Sequence, residues 1–72
     1  MQKSIRTNEY KKLVNKIKQA RLDSGLTQKQ VAKKIKRPQS YISKVEAGEQ
    51  RLDIIELKML VKLYKKDIKL FL

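Results

Sequence analysis

The chain contains no cysteine and no histidine among its 72 residues. Without cysteine there is no disulfide and no thiol nucleophile, and nothing points to secretion. Without histidine, imidazole acid–base catalysis and the ordinary zinc sites are closed to it. There are two glycines, Gly25 and Gly48, too far apart for a phosphate-cradling loop. The 7 carboxylates are scattered, with no pair spaced as an acid and a base or as a hard-metal cage. No enzyme activity, cofactor or metal is expected. Apolar runs are too short for a membrane span, and the start of the chain has no signal-peptide core. A cytoplasmic location and no membrane partner are the expectation. No strand pattern, repeat or low-complexity stretch occurs.

Positive charge is what the chain has in excess. Its 19 Lys+Arg stand against 7 Asp+Glu, a formal net charge of +12. Half of that surplus lies in residues 24–45, where Lys29, Lys33, Lys34, Lys36, Arg37 and Lys44 meet no acidic residue. Such a balance favours a polyanion, whether DNA, RNA or an anionic membrane surface. It also repels itself, so stability should rise with salt while polyanion affinity falls.

The spacing of apolar residues predicts an all-α chain of one domain over residues 8–72, after a polar, disordered tail at 1–7. Tyr10, Leu13, Val14, Ile17 and Ala20 fall at helical intervals. Gly25 is placed to stop that first helix. Thr27 with Gln30 reads as a capping box opening a second helix, whose inner stripe is Val31, Ala32 and Ile35. Pro38 suits the start of a third helix, with Ile42 and Val45 inward and Gly48 at its end. Asp53 caps a fourth helix running to about Tyr64, and Asp67 caps a short fifth over Ile68–Leu72. The fourth has an inner stripe of Ile54, Leu57, Leu60, Val61 and Tyr64, continued by Ile68 and Phe71. The lysines of the first helix (Lys11, Lys12, Lys16, Lys18) read as a solvated face that steers an anion from a distance.

Two short amphipathic helices about four residues apart, with a basic outer face, form the geometry that lays one helix in a DNA major groove. The words GLTQKQVAKKI and PQSYISKVEAGE add a resemblance. With Leu26-Thr27-Gln28, Ala32, Ser40, Ser43, Glu46 and Gly48 in register, the chain resembles the Xre family, the phage-repressor and Cro type of helix-turn-helix protein. The resemblance runs from about Tyr10 to Leu72. It implies a compact five-helix bundle, the lambda-repressor-like DNA-binding domain. It differs from the family at Lys36, where glycine is common in the turn, and at Pro38, where a Ser or Thr cap is common. A lysine at 36 implies either a strained left-handed residue or a slightly different turn.

By this resemblance Gln28 holds a backbone phosphate, Gln39 and Ser40 reach base edges, and Ser43 and Lys44 form the next exposed turn. Gln39 has the chemistry to pair bidentately with adenine N6 and N7. Ser40 and Ser43 are short enough to take phosphate instead. Tyr41 has two readings, stacking on sugar–phosphate or packing on the domain. Arg37 and Lys44 suit phosphate better than bases. The expected DNA-contact set is Thr27, Gln28, Lys29, Arg37, Gln39, Ser40, Tyr41, Ser43, Lys44 and Arg51. Arg21 and Glu46 match a pair that family members carry between the first and third helices, and a partly buried structural ion pair is expected there.

The fourth helix has more apolar surface than one face can bury. Ile55, Met59 and Leu63 form a second stripe at i, i+4 and i+8, expected to be a homodimer contact. The function expected is sequence-specific binding of a double-stranded DNA operator by a transcriptional regulator, a repressor in the first instance. The alternative is an antitoxin that joins the same DNA contacts to a surface for a small protein partner. No effector or catalytic domain is expected within this length.

Overall fold

Four α-helices in succession form the domain, in a computed structural model that describes residues 8–71. They are α1 (Asn8–Asp23), α2 (Gln28–Ile35), α3 (Gln39–Glu46) and α4 (Ile54–Leu63). The fifth helix expected at the end is a 3-10 turn over Ile68–Leu70, too short to be a helix of the bundle. Asp67 does cap it, accepting from the Lys69 N–H at 2.9 Å. The turn's backbone bonds, Leu70 N–H to the Asp67 carbonyl and Phe71 N–H to the Ile68 carbonyl, both 2.9 Å, span three residues rather than the four of an α-helix. The tail expected at residues 1–7 lies outside the described residues. No strand occurs among the described residues, so the class is all-α.

The helix boundaries follow from side-chain caps and left-handed stops. Thr27 accepts from the Gln30 N–H at 3.1 Å, and Gln30 Oε1 accepts from the Thr27 N–H at 2.9 Å. This reciprocal pair satisfies two donors that the start of α2 would otherwise leave open. Asp53 caps α4 with one such bond, accepting from the Glu56 N–H at 2.8 Å. Pro38 precedes α3 without a side-chain cap, at φ −63. The ring sets that angle in advance, which offsets the missing cap. All four helices close with a residue at positive φ: Gly25, Lys36, Gly48 and Lys65. Glycine takes this conformation without steric cost. Lys36 and Lys65 do not, and each sits at φ near 60 with a Cβ crowding its carbonyl.

The core is drawn from every helix: Ile17 and Ala20 of α1, Val31 and Ala32 of α2, Ile42 of α3, and Leu57, Leu60 and Val61 of α4. Tyr64 packs with them, and Ile68 and Phe71 cover the far side. The small Ala32 at a buried helix crossing lets two backbones approach. Ile54, expected in the inner stripe, is instead 48% exposed. It is the first residue of α4, directly after the Asp53 cap. The inner stripe begins one turn later, at Leu57, which is buried in the core cluster.

Candidate nucleic-acid interface

The outer face of α3 carries Gln39, Ser40, Ser43 and Lys44, all exposed. These positions fall at spacings of three and four, so they form one continuous strip. Ile42 and Val45 occupy the opposite side, each 1% exposed, and lock the helix to the domain. The strip is therefore presented by a helix that cannot roll. Its chemistry is one amide, two hydroxyls and one ammonium, with no carboxylate. That is a set of short donors and acceptors suited to base edges and phosphate oxygens.

The start of α2 forms the second part. Thr27 and Lys29 are exposed there, and Gln28 is half-buried. The first N–H groups of any helix lack partners inside it and point along its axis with the positive end of the dipole. An anion placed there meets N–H donors and, at Lys29, a cation. The Gln28 amide is already engaged, since its Nε2 donates to Glu46 Oε1 at 3.0 Å. This bond ties the start of α2 to the end of α3, a link with no signal in the local sequence.

Glu46 is the hub of that corner. Arg21 Nε donates to Glu46 Oε2 at 2.7 Å, and Arg21 Nη2 donates to Glu46 Oε1 at 3.0 Å. Arg21 Nη1 donates to the Leu26 carbonyl at 2.9 Å. The two side chains are only 9% and 4% exposed. The parallel fork of two bonds fits guanidinium to carboxylate. The Glu46 hydrogen bond raises the Arg21 pKa above its ordinary value, against the opposing pull of burial. Three helices thus meet on one carboxylate, which leaves it no charge to set against an approaching anion.

Arg37 and Tyr41 are drawn away from the strip, toward α4. Arg37 Nε donates to Glu56 Oε2 at 2.7 Å, and the Tyr41 hydroxyl donates to Glu56 Oε1. The Arg37 guanidinium lies 4.8 Å from the Tyr41 ring centroid. Tyr41 is half-buried and packs against the core cluster. Burial first, and then the bond to Glu56, push its phenol pKa above the ordinary tyrosine value. Of its two readings, packing on the domain is the one this geometry matches. Arg51 is exposed in the loop after α3, where Gln50 Nε2 donates to its carbonyl at 3.3 Å.

Tyr10 fixes that loop from the other side. Its hydroxyl donates to the Gln50 carbonyl at 3.3 Å and accepts from the Leu52 N–H at 3.0 Å. The helical stripe marks Tyr10 as an inward residue, but nothing in it signals these two bonds.

The expected self-association stripe divides. Ile55 and Met59 are 61% and 43% exposed. Leu63 is half-buried and packs against the core, although it also lines a shallow surface groove with Lys34, Ile35, Met59 and Lys62. No group of His, Cys, Asp or Glu that could hold a metal ion occurs among the described residues. No described helix is long and apolar enough to cross a membrane. The sequence model of the helix-turn-helix family matches residues 17–71, well over half of the chain. Among curated proteins, none matches it.

Proposed function

The chain belongs to the Xre-like, Cro-type helix-turn-helix family of DNA-binding transcription regulators, and on that premise we propose that it is a sequence-specific repressor. In this reading α3 lies in the major groove and α2 crosses the backbone. Gln39 and Ser40 read base edges. Ser43 and Lys44 serve the next turn. Thr27, Gln28 and Lys29 hold phosphate at the α2 start, and Arg51 holds it from the loop. A repressor acts by occupying its operator, so these contacts suffice without any catalytic group.

One observation carries the reading: the continuous polar strip of Gln39, Ser40, Ser43 and Lys44 on a helix whose other face is fully buried. A rigid, carboxylate-free strip is what direct readout needs. A purely electrostatic binder would need only the lysines. A single short recognition helix reads few base pairs, so we extend the proposal to a homodimer on a near-palindromic operator. Ile55 and Met59, with Leu63 at their edge, supply the contact. The test is selection of bound duplexes from a random pool, followed by footprinting of the enriched sequence. Enrichment of an inverted repeat with half-sites about one helical turn apart is the expected result. A pool that stays random after selection would reject specific recognition and leave a charge-driven binder.

A further inference from the structure

One carboxylate of α4 holds two side chains of the helix-turn-helix unit at once. Glu56 accepts from Arg37 in the turn before α3 through one oxygen, and from Tyr41 of α3 through the other. Arg37 Nη2 also lies 2.5 Å from Glu56 Oε2. The guanidinium is stacked on the Tyr41 ring as well, an arrangement that attracts through the ring quadrupole. Among the described residues, the five lysines between residues 24 and 45 form no ion pair. Arg37 is the one cation of that segment whose charge is cancelled.

Arg37 is 47% exposed along its side chain and stands in the turn leading into α3. Left free, it would be a ready phosphate ligand. Phosphate contacts strengthen binding to every sequence alike, and so dilute the advantage of the correct one. We propose that Glu56 is a specificity-determining clamp that withholds Arg37 from the DNA backbone while seating α3 against α4 through Tyr41. This rests on the DNA-binding reading above and moves Arg37 from phosphate ligand to positioning residue. Glu56 sits one residue from Ile55 and three from Met59, so the clamp also joins the reading helix to the helix proposed for dimer contact.

The test measures affinity for a random-sequence duplex by fluorescence anisotropy between 50 and 200 mM salt. The proteins are the parent, Glu56→Gln, Arg37→Gln and the double variant. Gln at 56 keeps an acceptor for the Tyr41 hydroxyl while losing the charge that holds Arg37. Each phosphate neutralised contributes about −0.9 to the slope of log affinity against log salt. Glu56→Gln is expected to steepen the slope by about one such contact, a roughly 3.5-fold larger loss across that salt range. Arg37→Gln alone leaves the slope unchanged, and the double variant returns to it. Glu9→Gln adds the same charge at the exposed start of α1 and is expected to leave the slope alone.

If Arg37→Gln by itself flattens the slope by a full contact, Arg37 already holds phosphate and the proposal falls. It falls equally if Glu56→Gln changes nothing, or if Glu9→Gln steepens the slope as much. A DNA-free measurement separates this from failure of the functional reading. In NMR of the unliganded parent, Arg37 Nε–H should exchange with water more slowly than Arg51 Nε–H, and Glu56→Gln should erase the difference. Equal exchange in the parent would overturn the clamp whatever the DNA result. A parent that binds no duplex would refute the DNA reading and the withheld-cation role together, while slow Arg37 exchange would still show the clamp itself.

Discussion

Removing Glu46 isolates the contribution of one buried carboxylate to this small domain. In Glu46→Ala, Arg21 Nε and Nη2 lose their acceptor, and so does Gln28 Nε2. Arg21 keeps only the Leu26 carbonyl at 2.9 Å, with a side chain 9% exposed. Water cannot easily replace two lost bonds at that burial. Breaking a buried pair by removing one partner costs about 3–5 kcal/mol, because the other charge stays behind uncompensated. At about 0.05–0.15 kcal/mol per residue, a domain of this length has roughly 4–11 kcal/mol in all. The variant should therefore lose a large share of its stability, or fail to fold. Urea unfolding followed by far-UV circular dichroism measures this, at fixed salt because of the net charge. The matching control is Arg21→Met with Glu46→Leu, which removes both charges and fills the space. Apolar replacement of a whole buried pair is often neutral or stabilising, so the double variant should recover most of the loss. A Glu46→Ala protein within about 1 kcal/mol of the parent would refute the reasoning, since the charge left behind would then be solvated.

Four further outcomes are expected. Gln39→Ala should cost about 1–3 kcal/mol on the selected operator and relax preference at one base pair; an equal loss on all duplexes, read by competition binding, would assign Gln39 to the backbone instead. Met59→Asp should give a folded protein that is more monomeric and binds operator less tightly, with non-specific binding little changed; a parent that sediments as a monomer and binds operator one to one would return the stripe to another use. Lys36→Gly should raise stability by about 1 kcal/mol, since glycine tolerates the left-handed angle, and thermal melting that shows no gain would mean the turn relaxes without it. Burial pushes the Tyr64 and Tyr41 phenols above their ordinary pKa, so the unfolded chain ionises first, near pH ~10, and stability present at neutral pH should drain away above that value. Tyr64→Phe should shrink this alkaline loss at no cost at neutral pH, because the Tyr64 hydroxyl is buried with no hydrogen-bond partner among the described residues.

What the sequence made legible was whatever acts over short distances along the chain. The Thr27–Gln30 box, the Asp53 and Asp67 caps and the stops at Gly25 and Gly48 each depend on residues within about one turn. The exposed α3 strip follows in the same way, from helical spacing around Ile42 and Val45. Links between remote residues were not legible from spacing; the Arg21–Glu46 pair, 25 positions apart, came only from the family resemblance. Arg37 and Glu56 stand 19 positions apart, and Gln28 and Glu46 stand 18 apart. Which polar side chains meet at such separations depends on how the helices cross, and many pairings suit the same charges. Lys65 was missed for a different reason. It stops α4 at a left-handed φ of 58, an angle that glycine advertises in a sequence and lysine does not. Ile54 misled because helical spacing cannot tell how far along its axis a helix first touches its neighbours.

The Tyr10 hydroxyl, held between the Gln50 carbonyl and the Leu52 N–H, has a consequence for motion. It fastens the loop that launches α4 to the start of α1, beside the packing of Leu52 against the core. Breaking it loosens the loop between the reading helix and α4 and leaves the core residues of both helices in place. Amide exchange at Leu52 should then report a local opening of lower free energy than exchange at core positions such as Ile42 or Leu60. Tyr10→Phe would quicken that opening alone. The loop would loosen there alone, while Leu57, Leu60 and Val61 keep α4 in the core and Glu56 keeps it bonded to Arg37 and Tyr41.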